Sequence, residues 1–115
     1  IVDWATSVQG LSMDKPIPIM KEMLKRRHLA PIYGARTPLA PEPRDMMVID
    51  SVPDIFVTGH VHACSVEGYR NILLVNASTW QSQTVYQRMM NFVPDPGKVT
   101  VVNLKTFKVT LREFR

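Results

Sequence analysis

At 115 residues the chain can build one hydrophobic core but not two ordinary domains. Its 45% hydrophobic and 21% charged content is globular, and a net charge of +4 permits a polyanionic partner without requiring one. A single cysteine, Cys64, excludes an internal disulfide and fits a reducing compartment. No apolar run approaches the roughly 20 residues of a membrane span and no signal peptide is visible, so the expectation is a cytoplasmic protein.

Val2, Ala5 and Val8 recur at helical spacing, which predicts a short helix over 1–9 that Gly10 stops. A second helix opens near Pro16 and Pro18, residues tolerated where amide donors lack partners anyway. Its buried stripe is Ile17, Met20 and Leu24, with Met23 alongside. Lys21, Lys25, Arg26 and Arg27 lie off or beyond that stripe, as a solvated face or as a contact to DNA or an acidic partner. Between 28 and 45 the prolines at 31, 38, 41 and 43, with Gly34, rule out regular structure. Long loops of this kind are usually functional or interfacial. His28 fits a structural hydrogen bonder better than a ligand.

Residues 46–49 form a strand candidate, and the apolar run 55–58 reads as a strand covered on both faces. Residues 63–66 and 72–75 suggest a hairpin turning near Gly68. The segment 81–91 carries no clear period, 94–97 reads as a turn, and 99–104 with 108–114 forms a second hairpin. Two helices followed by about six strands make an α/β layered arrangement with an antiparallel end.

The chemistry concentrates in Gly59-His60-Val61-His62, just after an apolar run. On an extended backbone His60 and His62 would share a side, about 6–7 Å apart, which suits two metal ions taking one nitrogen each. Gly59 would allow a sharp turn and close approach of ions or phosphate. Two histidines cannot complete such a centre, because each ion needs four to six donors, some of them carboxylates. None of the aspartates here sits in an Asp-x-His or Asn-His-Asp arrangement. With Ile1 in place of a start methionine, the expectation is a carboxy-terminal piece of a longer chain whose other ligands lie upstream. Cys64 fits a small buried residue better than a nucleophile. Trp80, Tyr86 and Phe92 offer faces for unpaired bases, although core packing is their commoner use.

Gly-His-x-His, followed by a hairpin and Asn76-Ala77-Ser78, resembles the final motif of calcineurin-like metallophosphoesterases. Ala77 and Ser78 depart from the proline and glycine common there. The stretches 24–34, Arg36-Thr37-Pro38 and 53–62 resemble the small subunit of archaeal family D DNA polymerase, a likeness running from about residue 10 to 104. The resemblance implies that residues 1–115 are the carboxy-terminal portion of a metallophosphoesterase domain, a β-sandwich flanked by helices with antiparallel hairpins at its end. It implies a metal-dependent 3′→5′ proofreading exonuclease, served by two Mn²⁺ or Mg²⁺ ions, in partnership with a large catalytic polymerase subunit and DNA. His60 and His62 would then be catalytic metal ligands, one to each ion, with Arg36, His28 and Asn76 as candidate substrate contacts. The segment by itself should be inactive. The alternatives are a non-catalytic polymerase scaffold and a small-substrate phosphoesterase of the same superfamily; retained His60 and His62 argue against the first.

Overall fold

Helix α2 (Pro16–Arg26) is the element on which the rest packs. In a computed structural model that describes residues 1–114, it separates two apolar clusters. One face carries Ile17, Met20 and Leu24 onto Ile72 and Leu74. The other carries Ile19 and Met23 onto Trp4 and Ala5 of α1 (Val2–Ser7). The expected stripe is therefore correct but half of the buried surface, since Ile19 and Met23 give the helix a second apolar face. Leu74 and Met20 are fully enclosed, so truncating either to alanine should cost about 2–5 kcal/mol.

The helix ends at Arg27, whose left-handed backbone lets the amides of Arg27 and His28 return to the carbonyls of Leu24 and Met23. Arg27 then donates from Nε to the carbonyl of Ile49 and from its terminal nitrogen to that of Asp50, 2.8 and 2.5 Å away. This pins 46–50 beside the helix end. The strand expected at 46–49 is reduced to a single bridge between His28 and Val48, because the partner backbone has just turned out of a helix.

Strands β1 (Ile55–Thr58), β2 (Ser65–Tyr69) and β3 (Ile72–Asn76) form a mixed sheet in the order β1-β3-β2. β1 runs parallel and β2 antiparallel to the central β3. Leu74 and Phe56 face α2, while Val75 and Val57 face the other way, toward Val99, Thr100 and Val102 across a groove of about 310 Å³. Cover on both sides explains why β3 is apolar at successive positions. The β2–β3 turn lies at Arg70-Asn71, both left-handed, and Gly68 stays inside β2. A two-residue loop with both residues at positive φ matches the strand twist, so asparagine, rather than the nearby glycine, marks this turn.

Residues 81–91 contain a short helix, α3 (Val85–Met89), held by a reciprocal cap between Thr84 and Gln87. Residues 94–97 are an extended connector, bridged at Pro96 to Thr79 and bent at Gly97, rather than a compact turn. Gly97 is obligatory: its φ is +71°, and a Cβ there would meet the carbonyl oxygen of Phe114 at 2.6 Å. β4 (Lys98–Val102) and β5 (Val109–Glu113) close the chain as the expected antiparallel hairpin. Five strands and three helices among the described residues replace the expected six and two, and the α/β class stands.

Candidate metal centre at the histidine arch

The topology dictates where the histidines go. β1 and β2 flank β3 and run in opposite directions, so the chain must cross the carboxyl end of β3 to pass from one to the other. Thr58, Asn76 and Ser65 form one row at that end, and residues 59–64 arch over it. Asn76 sits fully buried beneath the arch. Its side-chain nitrogen donates to the carbonyls of Val61 and Ala63, at 3.0 and 2.7 Å, and its oxygen accepts from the Thr58 hydroxyl at 2.8 Å. The arch is also tied outward, where the Asp95 amide donates to the His62 carbonyl at 2.8 Å.

This geometry corrects the extended backbone expected for the motif. β1 ends at Thr58, and tight bonds from Val61 N to Gly59 O and from Ala63 N to Val61 O, both 2.8 Å, curl the segment. His60 is left-handed at φ +70°, a conformation costing a non-glycine residue about 1–2 kcal/mol. The sharp turn expected of Gly59 is thus made by His60, and a Cβ on Gly59 would meet nothing within 4 Å. Both histidines nonetheless line one groove of about 430 Å³, together with Asp14, Tyr86, Gln87 and Phe92. They are brought together by a curled arch, not by strand pleating.

His62 is half-buried, and its Nδ1 lies 2.7 Å from Nε2 of Gln87. His60 is exposed and also borders a second, largely apolar cavity of about 680 Å³ beside the free edge of β1, lined by Met20, Met23, Phe56 and Val57. Asp14 brings a carboxylate to the histidine groove, and a hydrogen bond from the Ser12 hydroxyl lowers its pKa from the ordinary 3.8. Among the described residues no three His, Cys, Asp or Glu side chains cluster tightly enough to hold an ion. Two imidazoles and one carboxylate along the same groove are fewer donors than the four to six a Mn²⁺-like ion takes.

The other candidates lie elsewhere. Asn76 is enclosed and engaged with the arch, so it shapes the site instead of facing a substrate. His28 accepts the Ala30 amide at Nδ1 (3.0 Å) and meets Asp45 at Nε2 (2.7 Å), which ties the 28–45 loop to itself. That contact holds the Asp45 carboxyl below its ordinary value. Arg36 is next to Thr37, whose amide and hydroxyl donate to Asp3 at 2.9 and 2.8 Å and lower its pKa. Neither His28 nor Arg36 lines the histidine groove.

The basic residues are at the far end of the sheet. Lys25 and Arg27 border a groove with Tyr69, Arg70 and Ile72, whereas Pro16 and Met20 lie near Thr58 and the arch. Lys21 pairs with Glu67, and Glu22 pairs with both Lys25 (2.6 Å) and Arg26 (3.6 Å). Arg27 departs from a contact role, its guanidinium being committed to backbone carbonyls. Trp80 and Tyr86 depart from core packing: they are 72% and 70% exposed. Asp14, readable from the sequence as a cap for α2, lines the groove instead and makes no cap hydrogen bond, and Gln87 joins it there without a sequence signal for that role. Thr84-x-x-Gln87 is a readable capping signature, but nothing in the sequence links it to His62.

β1 is an edge strand, with Val57 57% exposed rather than covered on both faces as expected, and the arch that follows it sets both histidines at a strand carboxyl end, where open α/β sheets commonly bind ligands. No protein-family model matches the chain. It is 50% identical over 109 residues to the DNA polymerase II small subunit of Pyrococcus furiosus, covering 95% of this chain and 18% of that protein. It is 52% identical over 101 residues to the DNA polymerase II small subunit of Archaeoglobus fulgidus, covering 88% and 21%. For the protein of that name from Thermoplasma acidophilum the figures are 44% over 112 residues, 97% and 23%. Over these matched residues the chain belongs to the family of archaeal DNA polymerase II small subunits, in agreement with the resemblance read from its motifs. It spans about a fifth of the length of those relatives.

Proposed function

We propose that this segment supplies part of the metal centre of a 3′→5′ proofreading exonuclease subunit, working beside the large catalytic subunit of an archaeal DNA polymerase. The observation that carries this reading is the arch, which presents His60 and His62 to one open groove at the carboxyl end of β1. The name those relatives carry supports a place in a DNA polymerase and, through the words small subunit, a larger partner. The domain is read as part of a calcineurin-like metallophosphoesterase.

In this reading His60 and His62 hold one Mn²⁺ or Mg²⁺ each, with further donors supplied from outside this segment. Such ions, when bound, activate water and stabilise the charge that develops on a scissile phosphate. The chain's own part is positional. Asn76 sets the height and curl of the arch, Gln87 orients His62, and the exposed Tyr86 ring in the same groove offers a face for an unpaired base.

The test compares two substrates in Mn²⁺ with the full-length subunit assembled with its partner. A mismatched DNA primer should be shortened from its 3′ end, while p-nitrophenyl phosphate should be hydrolysed poorly. Hydrolysis of the small ester alone would replace this reading with the small-substrate phosphoesterase, and hydrolysis of neither would leave a scaffold.

A further inference from the structure

We infer that the groove where β3 begins is a docking site for an acidic segment of the large subunit, anchored there by an aliphatic side chain. The inference rests on the place beside a larger partner proposed above and takes nothing from the metal centre. Leu24, Ile49, Val52 and Ile72 line a recess of about 270 Å³, with Lys25 and Arg70 beside them. No acidic side chain lines it, and Asp50 and Asp54, next in sequence to lining residues, stay out of it. Val52 is 61% exposed, an apolar side chain left to solvent in a cationic groove.

The cations here are not equivalent. Arg27 is engaged by the carbonyls of Ile49 and Asp50. Glu22 pairs with Lys25 and holds its pKa above the ordinary value, while the nearby charge of Arg70 pulls the other way. Arg70 itself meets no carboxylate among the described residues; its guanidinium lies over the Tyr69 ring, 5.3 Å from the centroid. Tyr69 lines the same groove, and its enclosed hydroxyl has no hydrogen-bond partner among the described residues. Two like charges beside an aliphatic recess call for a carboxylate next to an apolar side chain.

Size and lining decide among the occupants. The recess is smaller than the roughly 300–1,000 Å³ of a small-molecule pocket. Nucleic acid would bring phosphates to the cations but nothing aliphatic to the recess, and unpaired bases stack on aromatic faces. The one ring in the lining, Tyr69, is already covered by Arg70 and by Lys21, whose Nζ is 5.6 Å from the centroid. A protein segment with an aliphatic anchor flanked by Asp or Glu supplies both halves, apolar burial at the centre and charge pairs at the rim. The groove is at the opposite end of α2 from the arch, so its occupant does not cover the histidines.

The test measures the dissociation constant between the full-length subunit and the purified large subunit for the wild type, Arg70→Glu and Val52→Asp. Both positions are exposed and outside the apolar clusters, and circular dichroism checks that both variants fold. A single-stranded oligonucleotide titrated onto each protein tests the nucleic-acid alternative. Each substitution should weaken assembly by about tenfold or more, with oligonucleotide binding unchanged. Wild-type assembly should also weaken as salt rises, and Arg70→Glu should flatten that dependence. Assembly indifferent to either substitution overturns the inference, as does a loss of oligonucleotide binding with assembly intact. Wild-type assembly and primer shortening are followed in the same preparations, so failure of this inference is separable from failure of the nuclease reading.

Discussion

Asn76 carries more of the site's geometry than either histidine does. It is enclosed at the end of β3, and its amide bonds to two arch carbonyls and the Thr58 hydroxyl. Removing it strands the Ala63 carbonyl, while the Val61 carbonyl keeps the Ala63 amide and the Thr58 hydroxyl keeps Met20 Sδ. Asn76→Ala should therefore lower the unfolding free energy by about 1–3 kcal/mol, the cost of one buried polar atom left unpaired, as read from a chemical-denaturation midpoint. Asn76→Asp should be at least as damaging, because it aims an oxygen where two carbonyls expect a donor. Near-neutral behaviour of both variants would contradict the role given to this residue. Its identity was legible in the sequence and its role was not: Asn76 stood out as a possible substrate contact, and only the β1-β3-β2 order shows that an arch must pass above it.

At the scale of elements, what the sequence disclosed depended on how each element is held. α2 and β3 follow from their apolar patterns because burial sets them, whereas the last hairpin follows from alternation alone, β5 being almost wholly exposed. α3 buries no residue and leans on one reciprocal cap, so no apolar period announces it. The histidine motif was readable as a motif, but its curl depends on a neighbouring strand and on His60 adopting a left-handed backbone. The proline-rich 28–45 loop is held by two carboxylates, Asp3 through Thr37 and Asp45 through His28 and the Met47 amide. Both carboxyls sit below their ordinary value of 3.8, chiefly through the Thr37 hydroxyl and through His28. A depressed carboxyl stabilises the folded arrangement above its ordinary value and loses that contribution as pH falls through the lowered one. The loop should stay anchored at pH 5 and above and come loose as pH falls below about 4. The amide proton shifts of Thr37 and Met47 should then move together toward free-loop values. Shifts that hold steady from pH 5 to pH 2 would show that these carboxylates do not anchor it.

Across the whole molecule, chemistry and charge are at opposite ends. The arch crowns the carboxyl ends of β1 and β3, while Lys25 and Arg27 gather with Arg70 near Ile72, where β3 begins. α2 joins the two ends, about 16 Å apart at 1.5 Å per residue over its length. Reversing the exposed charges in Lys25→Glu/Arg26→Glu should therefore leave cleavage at the arch within about twofold, a surface change far from the site. If this end meets the large subunit, the same variant should lose co-purification with it. A steep fall in DNA binding, with assembly intact, would assign the basic end to the substrate path.

The most direct measurement takes the full-length subunit, assembled with its polymerase partner in Mn²⁺, and follows shortening of a mismatched primer by the wild type and by His62→Ala. The metal-centre reading predicts that His62→Ala slows 3′-end removal by at least about a hundredfold, the upper end of what losing a group behind a ligand costs, while the two subunits still co-purify. Digestion by His62→Ala at the wild-type rate would contradict it.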